Sequence, residues 1–479
     1  MDSKILKNLF KGTLATTTGT IFTMGFHFLS IFFLARYLSQ IEFGYYALIF
    51  SISNLLNLFS NLGLEISIVK NIAEGSKNRE IVLKPTLILK SLATLFILIF
   101  YMIFYKLYPT DGFEGLWSYN FYIIVLFILG SFRDLFYRVI QGLGKFKQYS
   151  IIQISTAALR VTLILTAIYF DQFNFLILIY FEISIITLSI LLQLLSVPFR
   201  DLLKGSTSLA EYKNLLKFSS PLYANNLITF TYDRIGVFIL GLFLTASSVA
   251  IFDISTKIPS ALQGILSSYI LVFFPNISSL FALGDNKSAE QLINKSVSYI
   301  STLLTILILT IALWNKEIVI LFFSTKYQSA GVPLIIMMFS LLLRNLSNIF
   351  GYSIVAAGYS KIPMKVNFTS VIVGLASAIV FVIHWNFTGA AFAALLMNVV
   401  TFFQYSYYHK KLNLISIDIA FYSNIIILIF FTSTILIFGV ENVFYKLLFL
   451  ILFLILNYKK LINIVRSILI IKNFSYKKL

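Results

Sequence analysis

The chain contains no cysteine and is poor in charged residues, histidine and tryptophan. Without cysteine among its 479 residues, disulfides, a thiolate nucleophile and a cysteine-based metal site are excluded. The three histidines, His27, His384 and His409, are scattered, so a histidine-rich metal centre is not expected. Charged residues make up 12% of the chain, about half the usual share, whereas 59% is hydrophobic. These values indicate a membrane protein, and we expect neither cofactor nor enzymatic activity.

Long apolar segments fill the rest of the sequence. Because a helix rises about 1.5 Å per residue and the bilayer core is about 30 Å thick, about 20 apolar residues cross it. The spans are placed at 12–34, 43–70, 84–108, 117–140, 147–170, 173–196, 218–242, 248–275, 293–314, 331–357, 363–385, 388–409, 417–438 and 442–457. The first run is too long for a cleaved signal peptide, so we expect it to be retained. The predicted fold is an all-α polytopic membrane protein of about 14 transmembrane helices.

Basic residues alternate between the gaps that separate these spans. The formal net charge is +18, but it is spread over short loops, whereas a nucleic-acid binder gathers charge on one soluble face. Of the 37 basic residues, 26 lie at the termini and in every second gap, and the opposite gaps hold five. Since positive loops stay cytoplasmic, both termini are predicted on the cytoplasmic side of the membrane. The basic tail after Tyr458 either rests on anionic lipid headgroups or is solvated.

The two halves of the chain are similar at a shift of 206 residues. The Leu38-Ser39 turn, followed by Phe43-Gly44-Tyr45-Tyr46, falls on Leu244-Thr245 and Val249-Ala250-Ile251-Phe252. At a shift of 214, Gln141-Gly142-Leu143-Gly144 falls on Ala356-Ala357-Gly358. Six helices per half is an even number, so the repeat is parallel. We therefore expect lobes at 1–205 and 206–412 around a central cavity, followed by two helices and a basic tail at 413–479.

Polar side chains recur on one face of the first helix of each predicted lobe. The first stripe comprises Thr16, Thr20, Thr23 and His27, and the second comprises Asn226, Thr229 and Asp233. Matching stripes are what a shared central cleft requires. The alternative is hydrogen bonding between packed helices, which is common for such residues in membranes.

Charges inside a membrane cost at least about 2.5–3.5 kcal/mol on insertion scales, so each needs an explanation. Two structural pairs are predicted, Asp253 with Lys257 on one helix face and Arg160 with Glu182 on neighbouring helices. Candidates for binding an anionic ligand are Arg344 first, then Arg234 and Arg133, with Arg160, Lys257, Asn226, Thr229, Thr20 and Thr23 as further cavity candidates.

Some of the same residues are candidates for other roles. Asp233, Glu182 and His27 are the candidates for proton or ion coupling, against a purely structural hydrogen bond. Lys90 is placed closer to the inner surface. Pro259 is expected to kink or break its helix because it removes a backbone hydrogen bond.

Several motifs follow one another in a fixed order along the chain. They are Leu34-Ala35-Arg36-Tyr37-Leu38 with Phe43-Gly44-Tyr45-Tyr46, Asn61-Leu62-Gly63-Leu64, Gln141-Gly142-Leu143-Gly144-Lys145, Ala357-Gly358-Tyr359-Ser360-Lys361 and Gly389-Ala390-Ala391. In this order and spacing they resemble the Wzx-type polysaccharide-unit flippases, in the superfamily of multidrug/toxic-compound exporters and lipid II flippases. The resemblance covers nearly the whole chain. It implies alternating access and translocation of an isoprenoid-diphosphate-linked oligosaccharide from the cytoplasmic to the outer leaflet.

The resemblance also implies partners and an energy source. The sequence has no GxxxxGK[ST] phosphate loop, so an ion gradient is the expected source of energy. Expected partners are the lipid-linked substrate, membrane lipids and, within an assembly pathway, a polysaccharide polymerase and glycosyltransferases, with the protein itself a monomer and no nucleic acid bound.

Three other functions are alternatives to a flippase. A multidrug exporter of the same fold is disfavoured by cations at mid-depth. A membrane glycosyltransferase or polymerase is disfavoured by short outer loops. The polar stripes and buried charges disfavour a non-transporting scaffold of an assembly complex.

Overall fold

The protein is helical throughout the part of the chain that the structure describes. A computed structural model describes residues 3–73, 76–107, 114–197, 209–414 and 443–456. The helices are α1 (Ser3–Tyr37), α2 (Gln40–Asn61), α3 (Leu64–Ala73), α4 (Ser76–Leu107), α5 (Glu114–Trp117), α6 (Asn120–Gly142), α7 (Phe146–Tyr169), α8 (Phe175–Ser196), α9 (Leu209–Phe243), α10 (Ala246–Ala282), α11 (Asn286–Leu313), α12 (Asn315–Phe322), α13 (Gly331–Ala356), α14 (Lys361–Lys411) and α15 (Val443–Leu456). A 3₁₀ helix, Thr325–Ala330, precedes α13.

Nine of the described helices are long and apolar enough to cross a membrane. The protein is therefore an all-α, multi-pass membrane protein, as the sequence predicts. The predicted total of 14 spans stays a prediction, because the span at 417–438 lies outside the described residues. The last predicted span, 442–457, agrees closely with α15.

Three predictions about breaks in helices can be compared with the structure. The span predicted at 43–70 is wrong as a single helix, because Leu62 (φ 51°) and Gly63 (φ 74°) adopt left-handed backbone and separate α2 from α3. Asn386 (φ 56°, ψ −139°) interrupts α14, as predicted for two helices at 363–385 and 388–409. Of the two outcomes predicted for Pro259, a break is absent, because α10 continues through this residue, and a kink stays a prediction.

The local structure repeats at the predicted shifts. Helices α1 and α9 each contain 35 residues, and α9 begins and ends 206 residues after α1. Ser39 caps the next helix by accepting the Glu42 amide at 3.2 Å, and Thr245, 206 residues later, accepts the Ser248 amide at 3.4 Å. Matching caps at matching positions favour a duplicated helix pair.

The second pair of turns repeats a helix-ending motif at the shift of 214. Gly144 (φ 70°) donates to Gln141 O and the next amide reaches back to Ile140 O. Gly358 (φ 96°) donates to Val355 O and the next amide reaches Ile354 O. Both turns are Schellman motifs in which glycine supplies the left-handed residue.

The chain divides into two compact units, Met1–Asp253 and Ile254–Leu479. The predicted lobe boundaries at 205 and 412 stay a prediction. In the first unit, α3, α4, α6, α7 and α9 share an aliphatic core of Ile68, Ile72, Leu83, Leu135, Val139, Ile140, Ile152, Val197 and Leu215. In the second unit, α13 packs against both α11 and α14.

Candidate functional site

A polar stripe runs along α6 in the first unit. Asp134, Tyr137, Arg138 and Gln141 are spaced three or four residues apart and share one helix face, with Arg133 next to them. All five side chains are half-buried. Arg133 lies 13 residues from the start of a 23-residue helix, about 20 Å along it. The stripe therefore carries charge to the middle of α6, within the span predicted at 117–140.

One group of contacts surrounds Asp134 and is called the Lys90 cluster, comprising Lys90, Asn57, Asp134 and Arg133 with the hydroxyls of Ser60, Thr94 and Ser131. Lys90 Nζ donates to Asn57 Oδ1 at 3.2 Å and to Ser60 Oγ at 3.3 Å. Asn57 Nδ2 in turn donates to Asp134 Oδ2 at 2.9 Å. Arg133 donates to Asp134 Oδ1 through Nε at 2.9 Å and Nη2 at 2.8 Å. The carboxylate is therefore held on both oxygens.

The Lys90 cluster has more positive than negative charge. Lys90 and Arg133 bring two cations, whereas Asp134 is the one acid among its members. Lys90 is only 1% exposed, and its ammonium group reaches the carboxylate through Asn57 rather than directly. Burying an ion is expensive unless hydrogen bonds and an opposite charge compensate it. The compensation here is incomplete, which leaves a net charge of about +1 in the interior of the unit.

A second group joins four helices and is called the Arg160 cluster: Arg160 on α7, Glu182 on α8, Tyr46 on α2 and His27 on α1. Arg160 Nη2 contacts both Glu182 Oε1 and the Tyr46 hydroxyl. Tyr46 also donates to Glu182 Oε1 at 3.2 Å, and His27 Nδ1 lies 3.2 Å from Arg160 Nη1. The side chains of Arg160 and Glu182 are 12% and 6% exposed. The predicted pairing of Arg160 with Glu182 is confirmed.

A third contact extends the charged residues along α6. Arg138 Nε donates to Glu65 Oε2 on α3 at 3.2 Å, and Arg138 Nη1 donates to Gln141 Oε1 at 3.0 Å. Tyr46, Asn57 and Glu65 follow one another along α2 and α3, so the three contacts form a polar track through the unit. Because Arg160 and Arg138 are each balanced by one acid, the surplus charge of the track lies in the Lys90 cluster.

The arrangement is suited to binding an anion rather than to catalysis. Arg133 and Asp134 have side chains 32% and 30% exposed. A charge exposed to lipid at this depth is costly, so these side chains are expected to face a hydrated interior space. Within the described ranges, no three His, Asp or Glu side chains gather as metal ligands do.

The residues predicted on α1 have different environments. His27 joins the Arg160 cluster. The Thr20 hydroxyl bonds back to its own helix, to Thr16 O at 2.8 Å, on an exposed position. Thr23 Oγ1 is buried and has no hydrogen-bond partner among the described residues. Within the predicted stripe, His27 therefore contacts a charged side chain, that of Arg160.

The predicted residues on α9 and in the second unit remain candidates. Asn226, Thr229 and Asp233 lie on α9, but their side chains are outside the described part of the chain. Arg234 is half-buried near the end of the same helix. In the second unit, Arg344 and Lys257 are half-buried on α13 and α10. The predicted pairing of Asp253 with Lys257 stays a prediction, as does the binding role of Arg344.

Sequence reasoning missed several members of the track. The depth predicted for Lys90, closer to the inner surface, stays a prediction, but its complete burial 14 residues along α4 was not foreseen. Arg138 and the pairing of Asp134 were not singled out, although the spacing of polar residues on α6 is a readable signal. Asn57 and Tyr46 give no such signal, because single polar residues in apolar helices are common. Their roles depend on which helices pack together.

The comparisons with known proteins identify the family through a family model. A family model described as "Polysaccharide biosynthesis protein" matches residues 9–281, which is more than half of the chain. The chain belongs to this family. A curated relative, the probable low-salt glycan biosynthesis flippase Agl15 of Haloferax volcanii, is 22% identical over 409 residues, 84% of this chain and 83% of that protein.

Solved structures show the same fold at low identity. The lipid II flippase MurJ, in an inward closed conformation, matches with a TM-score of 0.68 and 14% identity over 95% of this chain and all of that chain. An inward-facing multidrug resistance MATE transporter of the MOP superfamily matches with a TM-score of 0.61 and 14% identity, covering 82% of this chain and 95% of that one. The polysaccharide biosynthesis protein therefore has the fold of these transporters, and the predicted family and fold are confirmed.

Proposed function

We propose that this protein is a flippase that moves an isoprenoid-diphosphate-linked oligosaccharide from the cytoplasmic to the outer leaflet by alternating access. One observation carries the proposal: a cation-rich cluster lies partly exposed at mid-helix in a member of the polysaccharide biosynthesis family. A diphosphate is the anionic part of such a cargo, and guanidinium groups bind phosphate in a bidentate manner. The names of Agl15 and MurJ support the same class of cargo.

The energy for transport is assigned to an ion gradient. Glu182 is the preferred coupling residue, with Asp233 and His27 as further candidates. Its carboxylate holds Arg160, Tyr46 and, through Arg160, His27, so uptake of a proton by Glu182 would weaken contacts among four helices at once. A group with this position is suited to link protonation to a change in helix packing.

The proposal also includes the location and partners of the protein. We propose a monomer in a bacterial inner membrane, with both termini cytoplasmic, that receives cargo from glycosyltransferases and delivers it to a polymerase.

The test is reconstitution of the purified protein into liposomes with a fluorescent lipid-linked oligosaccharide in one leaflet. We expect protein-dependent transfer of the fluorophore to the opposite leaflet, stimulated by an imposed proton or sodium gradient. Arg133→Ala should lower the initial rate at least about tenfold, since a hydrogen bond to a charged group contributes about 1.5–3 kcal/mol. The matched control is Lys147→Ala, which removes an exposed cation at the start of α7 and should leave the rate unchanged.

The alternative is a multidrug exporter of the same fold, since MATE transporters also match the structure. Binding of cationic drugs requires an excess of negative charge at the site, whereas the Lys90 cluster has an excess of positive charge. The same liposomes separate the two functions: efflux of a cationic dye without transfer of the glycan lipid would favour the exporter.

A further inference from the structure

The contact between Arg133 and Asp134 is unusual for its position in the helix. Successive residues on a helix point about 100° apart and do not face each other. Arg133 nevertheless places both Nε and Nη2 on Asp134 Oδ1, at 2.9 and 2.8 Å. The side chain must fold back along α6 to do so. One edge of the guanidinium, formed by Nε and Nη2, is thus occupied by a single carboxylate oxygen of the same chain. This is an edge through which an arginine also binds oxyanions.

Asp134 is also held through its second carboxylate oxygen, Oδ2, whereas Arg133 donates to Oδ1. Asn57 Nδ2 donates to its second oxygen at 2.9 Å, and Lys90 supports Asn57 from the buried side. The carboxylate therefore keeps a hydrogen bond and a nearby cation when Arg133 turns away from it. Leaving a buried acid without any partner would be strongly unfavourable, and this arrangement avoids that cost.

Arg133 has the exposure needed for a second partner. Its side chain is 32% exposed, and among the described residues its Nη1 makes no hydrogen bond. Lys90, by contrast, is buried and does not reach the surface of the unit. Of the two cations in the cluster, Arg133 is therefore the one that an anion can reach. Asp134 already accepts the hydrogen bonds from its Nε and Nη2.

We infer that Asp134 is a built-in competitor that occupies the phosphate-binding edge of Arg133 until an anionic headgroup displaces it. The inference rests on the proposed function for the identity of the anion, a diphosphate. In the unloaded state Asp134 neutralises Arg133. In the loaded state the diphosphate binds the guanidinium of Arg133, and Asp134 retains its hydrogen bond from Asn57. Because the ligand must displace a carboxylate, it binds more weakly than it would to a free arginine. A transporter benefits from this, since cargo held too tightly is released slowly.

The experiment measures binding of farnesyl diphosphate to the purified, full-length protein in detergent at fixed ionic strength, with farnesol as the probe that lacks the headgroup. We expect Asp134→Asn to tighten farnesyl diphosphate binding at least threefold and to leave farnesol binding unchanged. Arg133→Gln should weaken diphosphate binding at least tenfold. The double variant should behave like Arg133→Gln, because Asp134 acts through Arg133.

A matched control separates local competition from bulk charge. Glu65→Gln also removes an acid that is paired with an arginine of α6, but at Arg138. It should change diphosphate affinity by less than the Asp134 substitution does. An equal gain in Glu65→Gln, no gain in Asp134→Asn, or a gain that persists without Arg133 would overturn the inference. The thermal unfolding of each variant in the same detergent identifies any that fails to fold. If Asp134→Asn fails, Asp134→Ser replaces it, because serine also removes the competing charge, and the same gain in diphosphate affinity is expected.

The outcome is independent of the flipping assay. If Asp134→Asn binds diphosphate more tightly but the protein moves no glycan lipid, the role of Asp134 as a competitor is supported and the proposed flippase function is contradicted. If the protein moves glycan lipid but Asp134→Asn leaves its diphosphate affinity unchanged, the flippase function is supported and the competitor role is contradicted.

Discussion

At the scale of single residues, the interior charges of the first unit are organised by pairing. Arg160 is shared by Glu182, Tyr46 and His27, whereas Lys90 meets only neutral groups directly. This difference determines which substitutions should destabilise each cation. A cation with a direct acid partner should be destabilised by loss of that acid, whereas a cation linked to its acid through an amide should be destabilised by loss of any member of the hydrogen-bond network.

Removing one partner of the Arg160–Glu182 pair should destabilise the protein strongly. We expect Glu182→Ala to lower the free energy of unfolding by about 3–5 kcal/mol, because Arg160 stays buried without its acid. The measurement is thermal or denaturant unfolding in detergent. Asp171→Asn, a change of an exposed acid, is the control and should have little effect. If the double variant Arg160→Leu/Glu182→Leu is no more stable than Glu182→Ala, the uncompensated charge is not the cause of the loss.

At the scale of helices, close backbone contact fixes where α2 meets the start of α10. A Cβ added to Gly44 would lie 1.9 Å from the Ala246 carbonyl oxygen, so only glycine fits there. Gly25 on α1 is also helical, but nothing lies within 4 Å of its added Cβ. The two glycines therefore form a matched pair of test positions.

We expect Gly44→Ala to destabilise the protein by about 1–3 kcal/mol, since backbone must move to admit the methyl group. Gly25→Ala should be neutral or stabilising by up to about 1 kcal/mol, because alanine favours the helix. Unfolding midpoints of the two variants, measured side by side, check the prediction. Equal effects at both positions would show that the helices are not in contact at Gly44.

Another element-scale contact joins α12 to α15 in the second unit. Lys446 is buried and pairs with Glu317, whose side chain is 56% exposed. Burial, the largest single influence, raises the pKa of Glu317. The hydrogen bond and charge of Lys446, a backbone hydrogen bond and the charge of Lys316 together outweigh it, so the net shift of the pKa is downward. A lowered folded-state pKa means that the contact stabilises the fold above the ordinary carboxyl value of 4.5 and is lost as the pH falls through the lowered value.

The pH dependence of Glu317→Gln tests this contact. At pH 7 the variant should be less stable than the parent by no more than about 1 kcal/mol, because the carboxylate is solvent-screened. The difference should shrink as the pH falls below the ordinary carboxyl value of 4.5 and Glu317 protonates in the parent. Unfolding temperatures in detergent from pH 3 to 7 give the comparison; a difference that is constant across this range would contradict the assignment.

At the scale of the whole molecule, the predicted orientation can be tested cleanly because the chain has no native cysteine. Single cysteines at Asp171 and Lys361 mark turns on opposite predicted sides. We expect a membrane-impermeant maleimide to label Asp171→Cys in intact cells and Lys361→Cys only after permeabilisation. The reverse pattern would mean that both termini lie outside, and the positive-inside interpretation would be wrong.

The amino-acid sequence by itself determined the class of this protein, the positions of most helices and the 206-residue repeat. These features depend on local properties: apolar length, basic loops, a serine or threonine cap and a glycine that accepts left-handed backbone. The Arg160–Glu182 pair could also be predicted, because both residues lie at similar depth on consecutive helices. Each of these conclusions needs only distances along the chain.

The tertiary structure alone decided which polar residues act together. In the sequence, Lys90 lies 33 residues from Asn57, and Asp134 lies 77 residues from Asn57. The three side chains meet because α2, α4 and α6 pack side by side. The break at Leu62–Gly63 likewise depends on a distant contact, since the Cβ that glycine lacks would lie 2.4 Å from Ser219 O on α9. Hydropathy records whether a residue can enter the membrane, but its partner there is set by the packing of helices, which no local pattern encodes.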